Sequence, residues 1–190
     1  MVDITQAAQA KSDQLNVVDI LGTEPVIRIR AYDYDAKRKQ QPLWIYFDGD
    51  NNRPWKPSKG MIRILINGWG KEGDNFVGRY VQLFVEPTVK YAGEEVGGIQ
   101  IRAMSDIDPN GLNTFLTINQ KKRIKFFVAH LQVNQSEYPQ DKFEEALPKM
   151  IDFMHSGKMT LQQVIAHCQR TGRLSQEQLQ QLEKNAPSET

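Results

Sequence analysis

The residues of this chain best suited to chemistry are three histidines, one cysteine and a few close-set aspartates. Metal binding needs ligands at fixed spacing, and acid–base catalysis needs two groups brought face to face. His130, His155 and His167 fall on separate segments, each without a partner at ligand spacing. His167 precedes Cys168, but neighbours on a helix point about 100° apart and do not share an ion. The run DGDNN at 48–52 opens like a calcium loop, whose template needs Gly at place six and Glu at place twelve. Counted from Asp48, those places hold Arg53 and Lys59. Asp106 and Asp108 run into Pro109-Asn110-Gly111 and read as turn chemistry. GWGKEG at 68–73 and VGG at 96–98 match neither phosphate-loop pattern. The former also ends a helix, where no cradle of N–H groups faces outward. No metal, cofactor or enzymatic activity is expected.

What the sequence does supply is aromatic and basic residues interleaved at strand spacing. Residues 26–34 read VIRIRAYDY and residues 42–47 read PLWIYF. Strict alternation puts Ile27, Ile29 and Ala31 on one face and Arg28, Arg30, Tyr32 and Tyr34 on the other. It likewise separates Leu43, Ile45 and Phe47 from Trp44 and Tyr46. Flat side chains for stacking bases and cations for phosphates are the two requirements of single-stranded nucleic-acid binding. The candidate face is Arg28, Arg30, Tyr32, Trp44 and Tyr46, extended by Trp55 and Lys56, with Lys59 and Arg63 beyond. Arg79, Lys90, Arg102 and the hairpin cations Lys121, Lys122, Arg123 and Lys125 border it. The same face also fits contact with a partner protein, since Arg and Tyr are enriched at interfaces. A third reading is an exposed sheet held by cross-strand pairs. Asp33 and Asp35 would fall on the core side under strict alternation, so β-structure is expected to end or bulge near Tyr32.

The elements that must carry these residues follow from periodicity. VVDIL is a short strand, VIRIRAYDY and PLWIYF are strands, and DGDNNRPWKP is a turn region. SKGMIRILINGWG reads as a helix capped by Ser58, with Met61, Ile62, Leu65, Ile66 and Trp69 as its apolar stripe. Strands resume at VGRYVQLFVE, VKYAG and VGGIQIRAM, and NTFLTI and RIKFFVAHL form a last hairpin across NQKK. Three helical patterns follow: DKFEEALPKMIDFMHS; LQQVIAHCQRT, capped by Thr160 with Gln163; and QEQLQQLEKN, capped by Ser175 with Gln178. The fold class is mainly β with α, as an OB-like barrel or a curled antiparallel sheet with one inserted helix and a C-terminal helical appendage. The divisions are 1–16 flexible N-terminus, 17–132 β-domain, 133–140 linker, 141–185 helical domain and 186–190 tail.

Composition agrees with this outline. Hydrophobic residues make up 39% and charged residues 25% of the 190, a globular balance. No apolar run approaches the roughly 18 residues of a membrane span, so no membrane partner is expected. The N-terminus has no signal-type apolar core, and a cytoplasmic location is the expectation. A single cysteine rules out an intrachain disulfide. Residues 1–135 hold 18 Lys/Arg against 15 Asp/Glu, and residues 136–190 hold 6 against 8. That mild asymmetry is compatible with nucleic-acid binding by the first part without requiring it.

Across roughly residues 40–110 the chain resembles a family of small phage and prophage proteins. The shared pattern is W-x-P, a helix ending in W-G, then V-G-R, V-K-x-x-G and V-G-G-I-x-I. It is carried here by Trp55, Pro57, Trp69, Gly70, Gly78, Arg79, Lys90, Gly93, Gly97, Gly98 and Ile99. The resemblance implies a place in phage DNA replication or recombination and makes single-stranded DNA the expected ligand. The ending NAPSET departs from the acidic, apolar-tipped tail by which many bacterial single-stranded DNA-binding proteins recruit partners. The C-terminal helices instead suit docking of a replication or recombination protein, self-association into a homo-oligomer, or packing on the β-domain. The alternative function is a protein-binding inhibitor or adaptor that engages a host enzyme or defence factor.

Overall fold

The structure, a computed structural model, describes residues 12–91, 94–119, 122–133, 136–169 and 171–187. Lys121, Gly93, residues 1–11 of the expected flexible N-terminus, residues 134 and 135 of the expected linker and residues 188–190 of the tail lie outside them.

In chain order the elements are α1 (Val17–Ile20), β1 (Val26–Tyr34), β2 (Leu43–Phe47), α2 (Lys59–Trp69), β3 (Tyr80–Glu86), β4 (Lys90–Tyr91), β5 (Glu94–Glu95), β6 (Gly98–Met104), β7 (Leu112–Asn119), β8 (Lys122–His130), α3 (Gln140–His155), α4 (Leu161–Gln169) and α5 (Gln176–Lys184). Six strands form one sheet in the order β2-β1-β3-β6-β8-β7, and β4 and β5 form a small separate ribbon. The sheet is open. Of the two arrangements expected, the curled sheet is therefore the one observed, and it is mixed rather than wholly antiparallel. Its parallel pair is β6–β8, joined at Ala103↔Ala129 and Met104↔His130.

The core lies between one sheet face and α2. Ile27, Ile29, Leu43, Ile45, Val81, Leu83 and Ile101 meet Met61, Ile64, Leu65 and Trp69. Ser58 caps α2 by accepting from the Met61 N–H, and Gly70 at φ 88° ends it. The apolar stripe is displaced from its expected position. Ile64 is buried, whereas Ile66 is 41% exposed and Ile62 half-buried. An amphipathic helix with Ile on two faces leaves the choice of buried face to its neighbours.

VVDIL makes a helical turn rather than the expected strand. The Asp19 carboxylate accepts the Asn16 N–H at 2.7 Å, which caps the turn, and Arg53 pairs with that carboxylate at 3.2 and 2.8 Å. Residues 12–16 are also tied down, against the expectation of a loose end. Leu15 N–H donates to Pro54 O, Arg53 to Ser12 O, and Lys56 to Asp13. Trp55, expected on a binding face, is only 2% exposed and belongs to the core. Its backbone exchanges two hydrogen bonds with Ile45, at 2.8 and 2.9 Å. It thus extends the β2 edge and turns its ring inward.

The helices α3, α4 and α5 close around Phe143, Met150, Met154, Val164, Cys168, Leu174 and Leu182. Both expected capping boxes are formed, at Thr160 with Gln163 and at Ser175 with Gln178. This unit docks on the sheet where Gly78, at φ 85°, meets Gln169. A Cβ at Gly78 would stand 2.5 Å from that of Gln169.

Two outcomes follow from the packing. Trp55→Ala removes a wholly buried indole, so urea unfolding should show a loss of about 3–5 kcal/mol; a loss below about 1 kcal/mol would contradict its core role. Burial pushes the Cys168 thiol up to about 11, so at pH 8 it stays protonated and covered. Ellman's reagent should leave it untouched in the native protein and label it on denaturation.

Candidate nucleic-acid interface

The face expected from alternation is reorganised by a β-bulge in β1. Ile29 pairs with Phe47 and Ala31 with Tyr46, which leaves Arg30 as the extra residue. Before the bulge, Ile27 and Ile29 point to the core. After it, Tyr32 lies opposite Ile45, and Asp33 lies opposite Trp44. A one-residue shift exchanges the two faces. Asp33 is thereby spared burial, and Tyr32 leaves the face on which Arg28, Trp44 and Tyr46 remain. The Tyr32 hydroxyl donates to Asp74 at 3.2 Å. Burial first, and then the Asp74 charge, push that phenol above its ordinary value.

The cations of this face are engaged within the protein. Arg30 donates to both Asp50 carboxylate oxygens at 3.1 Å and to Phe47 O at 3.2 Å. It also stands 5.6 Å from the Tyr46 ring centre. The Asp50 carboxylate is buried and additionally accepts the N–H groups of Phe47 and Asn52. Arg28 pairs with Asp48 at 3.3 Å and donates to the Gln169 carbonyl of α4. Arg38 and Lys56 lie 4.1 and 4.0 Å from the Trp44 ring centre, while the Trp44 indole N–H donates to Gln41 O. Lys56 also pairs with Asp13 at 2.8 Å, which holds that carboxyl below its usual range. Trp44, the expected stacking platform, already carries cations of its own chain.

The bordering residues divide. Arg79 is largely buried 5.5 Å from the Trp69 ring centre, and burial pulls its guanidinium below the ordinary value against the Asp106 charge. Lys90 pairs with Glu95 at 3.3 Å across the β4–β5 ribbon. Arg102 pairs with Glu24 at 2.8 Å and stacks 3.8 Å from the Phe84 ring centre. Lys122 opens β8. Arg123 and Lys125 are exposed and have no ion-pair partner among the described residues.

Arg123 and Lys125 share their strand face with aromatic residues that the sequence reading left out. Phe115 sits opposite Lys125, and Thr117 opposite Arg123. Phe127 is the next residue along that face, diagonal to Phe115. Phe115 is 62% and Phe127 54% exposed. The signal was legible: in RIKFFVAH the residues Arg123, Lys125 and Phe127 alternate with Ile124, Phe126 and Val128 of the opposite face. The other hairpin face looks into a cleft of about 1140 Å³. Leu116, Ile124 and Phe126 line one wall, and Phe84, Gln100 and Arg102 the other. The cleft opens because β8 pairs with β6 only over the last two residues of each strand.

No protein-family model, curated protein or solved structure matches this chain. Site assignment therefore rests on the geometry.

Arg30 now has a structural role with its own signature. Arg30→Ala leaves the Asp50 carboxylate buried with two backbone donors, so stability should fall by about 1–3 kcal/mol. Equilibrium denaturation of the variant checks this; unchanged stability would return Arg30 to the pool of free surface cations.

Proposed function

We propose that the protein acts by binding single-stranded DNA, without catalysis, and that the strand tracks over the β7–β8 hairpin and the cleft beside it. The observation that carries this reading is the pairing of exposed Phe115 and Phe127 with Arg123 and Lys125 on one strand face. Large apolar rings rarely stay in water without a use. Here they alternate with cations that have no ion-pair partner among the described residues, which is the stacking-plus-phosphate combination. On the far wall of the cleft Arg102 lies over Phe84, but that cation is already paired with Glu24. Topology adds support by analogy: without β2, the order β1-β3-β6-β8-β7 with its parallel β6–β8 pair resembles an opened five-stranded oligonucleotide-binding Greek key. The resemblance to phage proteins suggests replication or recombination as the setting.

One observation favours a second reading. β7 is an edge strand that carries an exposed phenylalanine, and such edges also receive a partner protein's strand. An adaptor that docks a host or phage protein there would use the same rings. The near-neutral net charge of +1 suits it.

Fluorescence anisotropy with labelled oligo-dT at two salt concentrations separates the readings. Wild type should bind, more weakly as salt rises. Phe115→Ala and Phe127→Ala should each weaken binding roughly 5- to 150-fold, the equivalent of about 1–3 kcal/mol per stacked base. Arg123→Ala with Lys125→Ala should flatten the log–log salt slope by about 1.4, near 0.7 per lost phosphate contact. Absence of binding at low salt, alongside a protein partner retained from lysate after nuclease treatment, would overturn DNA binding in favour of the adaptor.

A further inference from the structure

A second cleft lies on the other side of α2 and shares only Lys59 with the cleft beside the hairpin. Its volume is about 600 Å³, within the range of small-ligand sites. The β1 bulge creates one wall by turning Tyr32 inward beside Leu43. Tyr32 is held there at its hydroxyl end. Its hydroxyl donates to Asp74, and its ring lies so close to Gly73 that a Cβ there would stand 2.5 Å away. Phe76 and the 62%-exposed Tyr34 add two further aromatic rings.

The opposite wall is α2. Lys59, Ile62, Arg63 and Ile66 fall at i, i+3, i+4 and i+7, and all four line the cleft. This stripe explains why Ile62 and Ile66 are not in the core: they floor an open pocket. Lys59 and Arg63 stand one helical turn apart, and neither has an ion-pair partner among the described residues. Lys71 adds a third cation at the rim, 3.9 Å from the exposed Glu72. Among the described residues no carboxylate lines the cleft, and the nearest, Asp74 and Glu72, stand behind the Tyr32 wall.

We propose that this cleft binds a nucleotide unit, with the base against the Tyr32, Leu43 and Ile66 surface and the phosphate between Lys59 and Arg63. An apolar aromatic slot beside unpaired cations selects a flat ring that carries an anion. Neither thymidine nor inorganic phosphate satisfies both walls. Arg63 supplies the planar fork that matches phosphate oxygens, and Lys59 the mobile point charge. The unit could come free, as a nucleoside monophosphate, or as the 5′-phosphorylated end of a strand. The proposal does not depend on the hairpin's role.

The test is titration calorimetry of the full chain with dTMP, thymidine and inorganic phosphate. dTMP should bind, and the two fragments should bind at least tenfold more weakly. Arg63→Glu, at an exposed position of α2 that lines this cleft and not the one beside the hairpin, should weaken dTMP at least tenfold while leaving the melting temperature near wild type. Tyr34→Ala should weaken it by a smaller factor. The Arg123→Ala/Lys125→Ala hairpin variant should bind dTMP as wild type does, which separates this cleft from the hairpin. A 5′-phosphorylated dT oligomer that outcompetes its 5′-hydroxyl twin only when Arg63 is intact assigns the unit to a strand end. Equal competition assigns it to the free nucleotide. No binding of dTMP at millimolar concentration, or undiminished binding by the charge-reversed variant, overturns the proposal.

Discussion

Asp50 is a carboxylate taken almost wholly out of water, and the rest of the β-unit is arranged around the need to satisfy it. A charge buried alone would cost several kcal/mol. Two backbone N–H groups and a guanidinium nitrogen that reaches both carboxylate oxygens offset that cost. The guanidinium comes from Arg30, the residue squeezed out of the β1–β2 pairing. The ion pair and the bulge are therefore one feature. The bulge in turn inverts the faces of the second half of β1, sending Asp33 to the surface and Tyr32 to the interior. The smaller cleft bears its mark in the wall that Tyr32 makes.

Arginines in the first strands and arginines in the last hairpin do different work. Arg28 and Arg30 each face a carboxylate and a backbone carbonyl of their own chain. Their charge is spent on joining β1 to the turn after β2 and to α4. Arg123 and Lys125 face rings and hydroxyls across the hairpin. A cation already paired offers an incoming phosphate only an exchange of partners, whereas an unpaired one offers a net gain. Counting cations along a sequence does not distinguish these cases; knowing which carboxylate folds back onto which strand does.

Period-two and period-3.6 patterns made most elements readable before any coordinates. The β1, β2, β3, β6, β7 and β8 segments, α2 with its Ser58 cap, and both C-terminal capping boxes depend on neighbours within a few residues. The bulge depends on Asp50, twenty positions away, and no local rule places it, although the awkward Asp33 hinted at it. VVDIL carries apolar residues suited to a strand, but the remote Arg53 and the near Asp19 made it a turn of helix. Trp55 resembled a stacking residue because an aromatic beside a lysine looks the same in sequence whether it faces solvent or the core. Phe115 and Phe127 show the opposite failure. Their alternation with Arg123 and Lys125 is visible in the sequence, but which face of an isolated hairpin stays in water is set by the sheet it joins.

The hydrogen bond from Arg28 to Gln169 spans 141 positions of chain. A chain made from its N-terminus presents Arg28 long before its acceptor exists. At about 5–20 residues per second, roughly 7–28 seconds of synthesis separate the two. In the part of that interval after β8 is made, the β-unit has its Asp48 partner for Arg28 but no helical lid over Gly78 and Arg79. The nascent protein therefore passes through a stage in which the sheet is assembled and its docking surface is bare. Completion of α4 is the step that seals it.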